Sequence, residues 1–160
     1  MKAYTKTNYG GPEVVHLDEV EAPVLKETEL RIKVMANSVN PADWHILRGK
    51  PFFARFAFGL FKPKDLIPGA DFAGTVIETG KGVTQFKAGD QVFGESLSGG
   101  TFAEYACVEE AICAKMPEAI SFTEMACVPM AGLTALQGLI THGQLRQGET
   151  VLINGGSGGV

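Results

Sequence analysis

Val151-Leu152-Ile153-Asn154-Gly155-Gly156-Ser157-Gly158-Gly159-Val160 is the stretch around which the rest of the chain is read. Three apolar residues break straight into glycines, the pattern of a buried strand running into a tight turn. Gly156-x-Gly158-x-x has the spacing that opens a G-x-G-x-x-G loop, and the chain stops one residue before the third glycine. A Cβ at these positions would block the turn and the approach of backbone N–H groups to a pyrophosphate. A plain glycine-rich turn is the other reading, and the preceding 150 residues have to decide.

The 160 residues are 45% hydrophobic, enough to bury a core of ordinary domain size. Gly 20 and Pro 8 point to short strands and many turns, not to a helical bundle. A net charge of −4 and a pI near 5.4 argue against non-specific binding to nucleic acid or to anionic lipid. Cys107, Cys113 and Cys127 are odd in number and form no C-x-x-C pair, which suits reduced thiols and a cytoplasmic location. The N-terminus has no apolar signal region, and no run reaches the roughly 18 apolar residues of a membrane span.

Strands are expected at 3–7 and 13–20, joined by Gly10-Gly11-Pro12. From Leu30 the alternation of Leu30, Ile32, Val34 and Ala36 with Arg31, Lys33, Met35 and Asn37 predicts a strand with one wet face. Asn40-Pro41 reads as a turn. Residues 52–61 hold five phenylalanines, and further strands are expected at 71–79, 91–94, 101–108 and 111–115. Strands at this spacing predict a small β barrel or sandwich. At Ser121 the pattern changes: Ser121-Phe-Thr-Glu124 is a capping box, Pro129 interrupts the helix, and a second helical piece over 130–142 ends at Gly143. The expected organisation is a β domain over 1–120 and the start of an α/β unit over 121–160.

Five motifs occur in a fixed order. They are Asn40-Pro-Ala-Asp-Trp44, Pro68-Gly-Ala-Asp-Phe-Ala-Gly74, Gly80-x-Gly-Val83-x-x-Phe86-x-x-Gly89-Asp90-x-Val92-x-Gly94, Gly100-x-Phe-Ala-Glu-Tyr105, and Ala131-Gly-Leu-Thr-Ala135 leading to the final glycines. Together they resemble the N-terminal half of the medium-chain dehydrogenase/reductase superfamily. Within it the chain most resembles the zinc-free quinone oxidoreductases related to zeta-crystallin. The resemblance implies a mainly β fold with α elements: a GroES-like β barrel domain, then the first helices and first strand of a Rossmann domain. It also implies NADPH, or NADH, in the cleft between the two, and a homodimer at full length.

Zinc-using members of the superfamily carry a Cys ligand where this chain has Asn40, and Gly-His-Glu where it has Gly69-Ala70-Asp71. A methyl group has no lone pair, and a neutral amide is a poor zinc ligand. No zinc is therefore expected, and Cys127 reads as a buried core thiol. Without a Lewis acid, the expected reaction is hydride transfer to a quinone or α,β-unsaturated carbonyl.

By the same resemblance Asn40 donates a hydrogen bond to the acceptor or the cofactor, unless it is only a turn residue before Pro41. Asp71 orients groups at the cleft floor, or is an ion-pair or cap residue. His45 is a candidate proton donor or a surface histidine. Trp44, Phe52, Phe53 and Phe56 are candidates for the substrate wall; core packing or a patch touching a membrane or partner are the alternatives for the phenylalanines. Gly155, Gly156, Ser157, Gly158, Gly159 and Val160 are the expected cofactor contacts, with Thr134 either at the nicotinamide end or packing its helix. The chain is expected to be the N-terminal part of a longer enzyme and inactive by itself. The alternative function is a non-catalytic cofactor-binding or interaction relative of the same fold.

Overall fold

The computed structural model describes all residues from Met1 to Val160. Strands β1 (Lys2–Lys6) and β2 (Val15–Glu19) pair antiparallel. The main sheet holds β3 (Glu29–Ala36), β4 (Asp71–Thr79), β5 (Gln91–Glu95), β6 (Tyr105–Glu109) and β7 (Cys113–Lys115). Its order is β6-β3-β4-β5-β7 with every pairing antiparallel, and an Ala3–Ala103 bridge ties β1 to it. Register shifts in β3 at Arg31/Ile32 and Val34/Ala36 bend the sheet, as bulges do. The mainly β fold with helices is therefore present, and residues 13 and 14, expected to open the second strand, belong instead to a 3₁₀ turn over Pro12–Val14.

Strand β4 is central, and its alternation builds two cores. Phe72 and Val76 pack with Leu30, Ile32, Val92, Ala106 and Val108 on one face. Ala73 packs with Met116, Met125 and Ala126 on the other, joined by Ala36, Phe93 and Phe122. Met125 and Ala126 arrive through α3 (Phe122–Met125), whose Ser121 accepts the Glu124 N–H while Glu124 accepts the Ser121 N–H. Packing thus runs continuously across residue 120.

Pro129 opens α4 (Pro129–Leu136), which passes into a wider turn over Gln137–His142. Gly143 does not adopt the left-handed conformation expected of a helix-ending glycine: its φ is −74°, and Gln144 turns the chain at +49°. Glycine is needed there because a Cβ would lie 2.8 Å from the carbonyl oxygens of Gly138 and Leu139.

Two further corrections concern local reading. Asn40-Pro41 opens helix α1 (Pro41–Arg48) as well as a turn, with proline at N1 and left-handed Gly49 (φ +58°) ending it. Val151–Ile153, expected as a buried strand, is exposed and pairs with nothing. A parallel strand exists only through a neighbour's N–H and C=O groups, and no element of this chain supplies them.

Candidate active site at Asp71

Asp71 begins β4 and is fully buried. Period-two alternation places it on the same face as Ala73, toward the helices. Ala36 pairs with Ala73, and Ser38 and Asn40 continue two and four residues beyond it. Ser38 Oγ donates to Asp71 Oδ2 at 2.9 Å, and Asn40 Nδ2 donates to the same oxygen at 3.0 Å. From α4 the Met130 N–H donates to both carboxylate oxygens, at 3.2 and 3.3 Å. Asn37 Nδ2 and Thr101 Oγ1 donate to the Asp71 backbone carbonyl at 3.0 and 3.2 Å. One carboxylate therefore joins the β3–α1 loop, the central strand and the first turn of α4.

The second hydrogen of the Asn40 amide goes to Ser38 Oγ at 3.0 Å. Both amide hydrogens are thus committed, and Oδ1 faces the Asp43 N–H in the capping box that starts α1, with a second lone pair still to offer. The Asn40 N–H donates to Asp43 at 2.8 Å at the start of α1.

Two more carboxyls surround the cluster. Burial pushes the Asp43 carboxyl above its usual range; hydrogen bonding from the Asn40 N–H opposes this and the nearby Asp71 adds to it. Burial, then Asp71 and Asp43, raises Glu95. Lys6, almost fully buried, is lowered by burial against the pull of Asp65 and Asp43. It lines, with Asp43 and Asp65, a cavity of about 20 Å³, room for one water.

Gly69, just before the cluster, has φ +97°, and a Cβ there would stand 2.2 Å from the Phe102 ring. Ala70 is buried. No group of three His, Cys, Asp or Glu side chains converges. Cys127, between α3 and Pro129, is exposed, not buried as expected.

Thr134 lines an open cleft of about 1,020 Å³ between α4 and the β5–β7 edge, with Glu95, Cys113, Val128 and Leu133. Its hydroxyl donates to Met130 O within its own helix at 2.7 Å. His45 is exposed, makes no hydrogen bond to the Asp71 cluster, and stacks edge-on against Trp44 at 4.5 Å. Trp44, Phe52, Phe53 and Phe56 are exposed and line neither this cleft nor the small cavity. The three phenylalanines belong to neither core of this chain.

Gly155 has φ +75°, and the only hydrogen bond of the terminal loop is Gly158 N–H to Gly155 O at 2.8 Å. The N–H groups of Gly156, Ser157, Gly159 and Val160 donate to nothing, and a Cβ at Gly155 or Gly159 would meet no atom within 4 Å. Free donors in open backbone fit a phosphate group. The structure does not join this loop to the Asp71 cluster. Sequence reasoning missed Ser38 and Met130; continuing the β3 alternation past Ala36 points to Ser38, whereas no sequence signal marks a backbone N–H 59 residues from Asp71.

A family model for the alcohol dehydrogenase GroES-like domain matches residues 26–118. The 2-methylene-furan-3-one reductase of Solanum lycopersicum is 38% identical over 169 residues, covering 100% of this chain and 42% of the relative. The quinone oxidoreductase of Homo sapiens is 35% identical over 164 residues, covering 100% and 47%. The solved Escherichia coli quinone oxidoreductase complexed with NADPH superposes with a TM-score of 0.74 at 28% identity, covering 87% and 40%. The chain spans about half the length of the curated relatives it matches. On the strength of the matched domain and of the order in which its strands and glycine turns follow one another, the chain belongs to the alcohol dehydrogenase GroES-like domain family of the medium-chain dehydrogenase/reductase superfamily.

Proposed function

We propose that this protein transfers hydride from NADPH, or NADH, to a quinone or an α,β-unsaturated carbonyl, and does so without zinc. The reading is supported by relatives named as quinone and 2-methylene-furan-3-one reductases and by one solved with NADPH. The observation that carries it is the Asn40 amide. It stands where zinc-using members hold a thiolate, and both its hydrogens are bound to Ser38 and Asp71. That leaves one neutral amide oxygen, and Ala70 offers only a buried methyl group, a donor set unsuited to zinc.

Gly155 to Val160 are the proposed phosphate contacts, and Thr134 the proposed contact in the cleft. The nicotinamide supplies the hydride when bound. Asn40 Oδ1 orients a donor group at that end, and Asp71 fixes Asn40. Three carboxyl groups, those of Asp43, Asp71 and Glu95, ring this end, and burial favours the neutral form of Asp43 and Glu95. His45 is the proposed proton donor, delivering through solvent, since its ring is exposed. A cytoplasmic homodimer completes the proposal, with three free thiols favouring a reducing compartment.

The test is NADPH and NADH oxidation by the natural-length protein with a 1,4-quinone and then an enone, in the presence of a chelator. Turnover that survives the chelator is expected. Loss of activity to the chelator would refute the zinc-free reading. Cofactor binding without turnover would favour the non-catalytic relative.

A further inference from the structure

Trp44–Lys64 holds five of the chain's 14 Lys and Arg, namely Arg48, Lys50, Arg55, Lys62 and Lys64, and none of its 18 Asp and Glu. The same segment presents Phe53, Phe56 and Phe61, exposed 71, 72 and 86%. These rings belong to neither core. The segment is nevertheless a built platform. Tyr9 donates its hydroxyl to Gly59 O at 2.6 Å, Arg55 Nε donates to Gly49 O at 3.0 Å, and the Arg55 guanidinium lies 4.4 Å from the Tyr9 ring centre. A short 3₁₀ turn over 52–54 and the single turn α2 (Arg55–Phe58) then direct the phenylalanines outward.

We propose that this face docks on an anionic lipid surface. Rings flanked by lysines match a bilayer interface, where aromatic groups enter the headgroup–acyl boundary and ammonium groups meet phosphates. The overall charge of −4 argues against adsorption through the whole surface, but it averages over this one-signed segment. A second copy of the chain is the poorer occupant. A two-fold contact would set the exposed Lys50, Lys62 and Lys64 of one copy against those of the other. No helix is long and apolar enough to cross a membrane, so the contact is peripheral.

The experiment is co-sedimentation of the natural-length protein with vesicles of phosphatidylcholine alone and of phosphatidylcholine mixed with phosphatidylglycerol. Binding is expected to the mixed vesicles, to weaken with added salt, and to fall about tenfold or more in Phe53→Ser/Phe56→Ser and in Lys50→Glu/Lys62→Glu. Both variants alter exposed side chains, so circular dichroism and the urea midpoint should stay at wild-type values. Val24→Ser, an equally exposed apolar change elsewhere, should bind as wild type. Equal binding to both vesicle types, insensitivity to either double variant, or no vesicle binding overturns the proposal. A dimer in sedimentation equilibrium that Phe53→Ser/Phe56→Ser dissociates would name a second copy as the occupant instead.

Discussion

Replacing Asp71 with asparagine keeps the volume of the side chain and removes its acceptor chemistry. Three donors converge on the carboxylate: Ser38 Oγ–H, Asn40 Nδ2–H and the Met130 N–H. The asparagine oxygen can satisfy at most two, and its NH₂ turns a hydrogen toward a group that is itself a donor. An unsatisfied buried donor costs about 1–3 kcal/mol, so the expected loss is about 2–4 kcal/mol out of the ~5–15 kcal/mol of a typical domain. At usual urea sensitivities the midpoint falls by about 1–2 M. The assay is urea unfolding followed by circular dichroism and by fluorescence of Trp44, the single tryptophan. A control separates acceptor loss from general damage. Asn40→Asp alone places two carboxylates about 3 Å apart and destabilises by repulsion. Asp71→Asn with Asn40→Asp restores one donor–acceptor pair with its polarity reversed. The double variant should be more stable than the sum of the singles by about 1–2 kcal/mol. An Asp71→Asn protein within about 0.5 kcal/mol of wild type, or strictly additive singles, would refute the network.

The remaining predictions concern strain, thiols and pH. Gly69→Ala forces a Cβ against the Phe102 ring at φ +97°, so it should lower stability by about 2–4 kcal/mol in a thermal melt. Burial pushes the Cys113 thiol up to about 12 and also raises Cys107, whereas Cys127 is exposed. Iodoacetamide at pH 8 should therefore alkylate Cys127 about a hundredfold faster than Cys113, read by peptide mass mapping. Folding raises the Asp43 pKa, so the folded state holds that proton more tightly than the unfolded state does. Its contribution to stability is complete below pH 3.8 and is lost as pH rises through the elevated value. The wild-type minus Asp43→Asn difference in unfolding free energy should decline across that window; a flat difference would contradict it.

What could be read in the sequence was what local spacing determines. Strand β4 was legible over Asp71–Thr79 because apolar residues run between Gly69 and Gly80, and the Ser121–Glu124 box because its partners sit three residues apart. Helix α1 was missed although Asn40, Pro41 and Gly49 mark both ends, since Asn-Pro is an equally good turn signal. Val151–Ile153 is apolar as a buried strand should be, but pairing makes a strand, and no element of this chain pairs with it. At the site, Asn40 and Asp71 were found by resemblance, and the structure brings them into contact. Their shared partners depend on contacts across 33 and 59 residues, which local spacing does not encode.

A buried carboxylate without a cation beside it is an expensive way to fill space; an apolar residue of similar volume would often be as stable. Its use here follows from what its donors are attached to. Ser38 and Asn40 belong to the loop entering α1, and Met130 to the first turn of the helix that carries Thr134. An apolar contact would tolerate sliding between these pieces, whereas three directed hydrogen bonds to one group do not. Asp71 is therefore placed to set the position of the Asn40 oxygen relative to the α4 wall of the cleft, and the cost of burying it is the cost of that alignment.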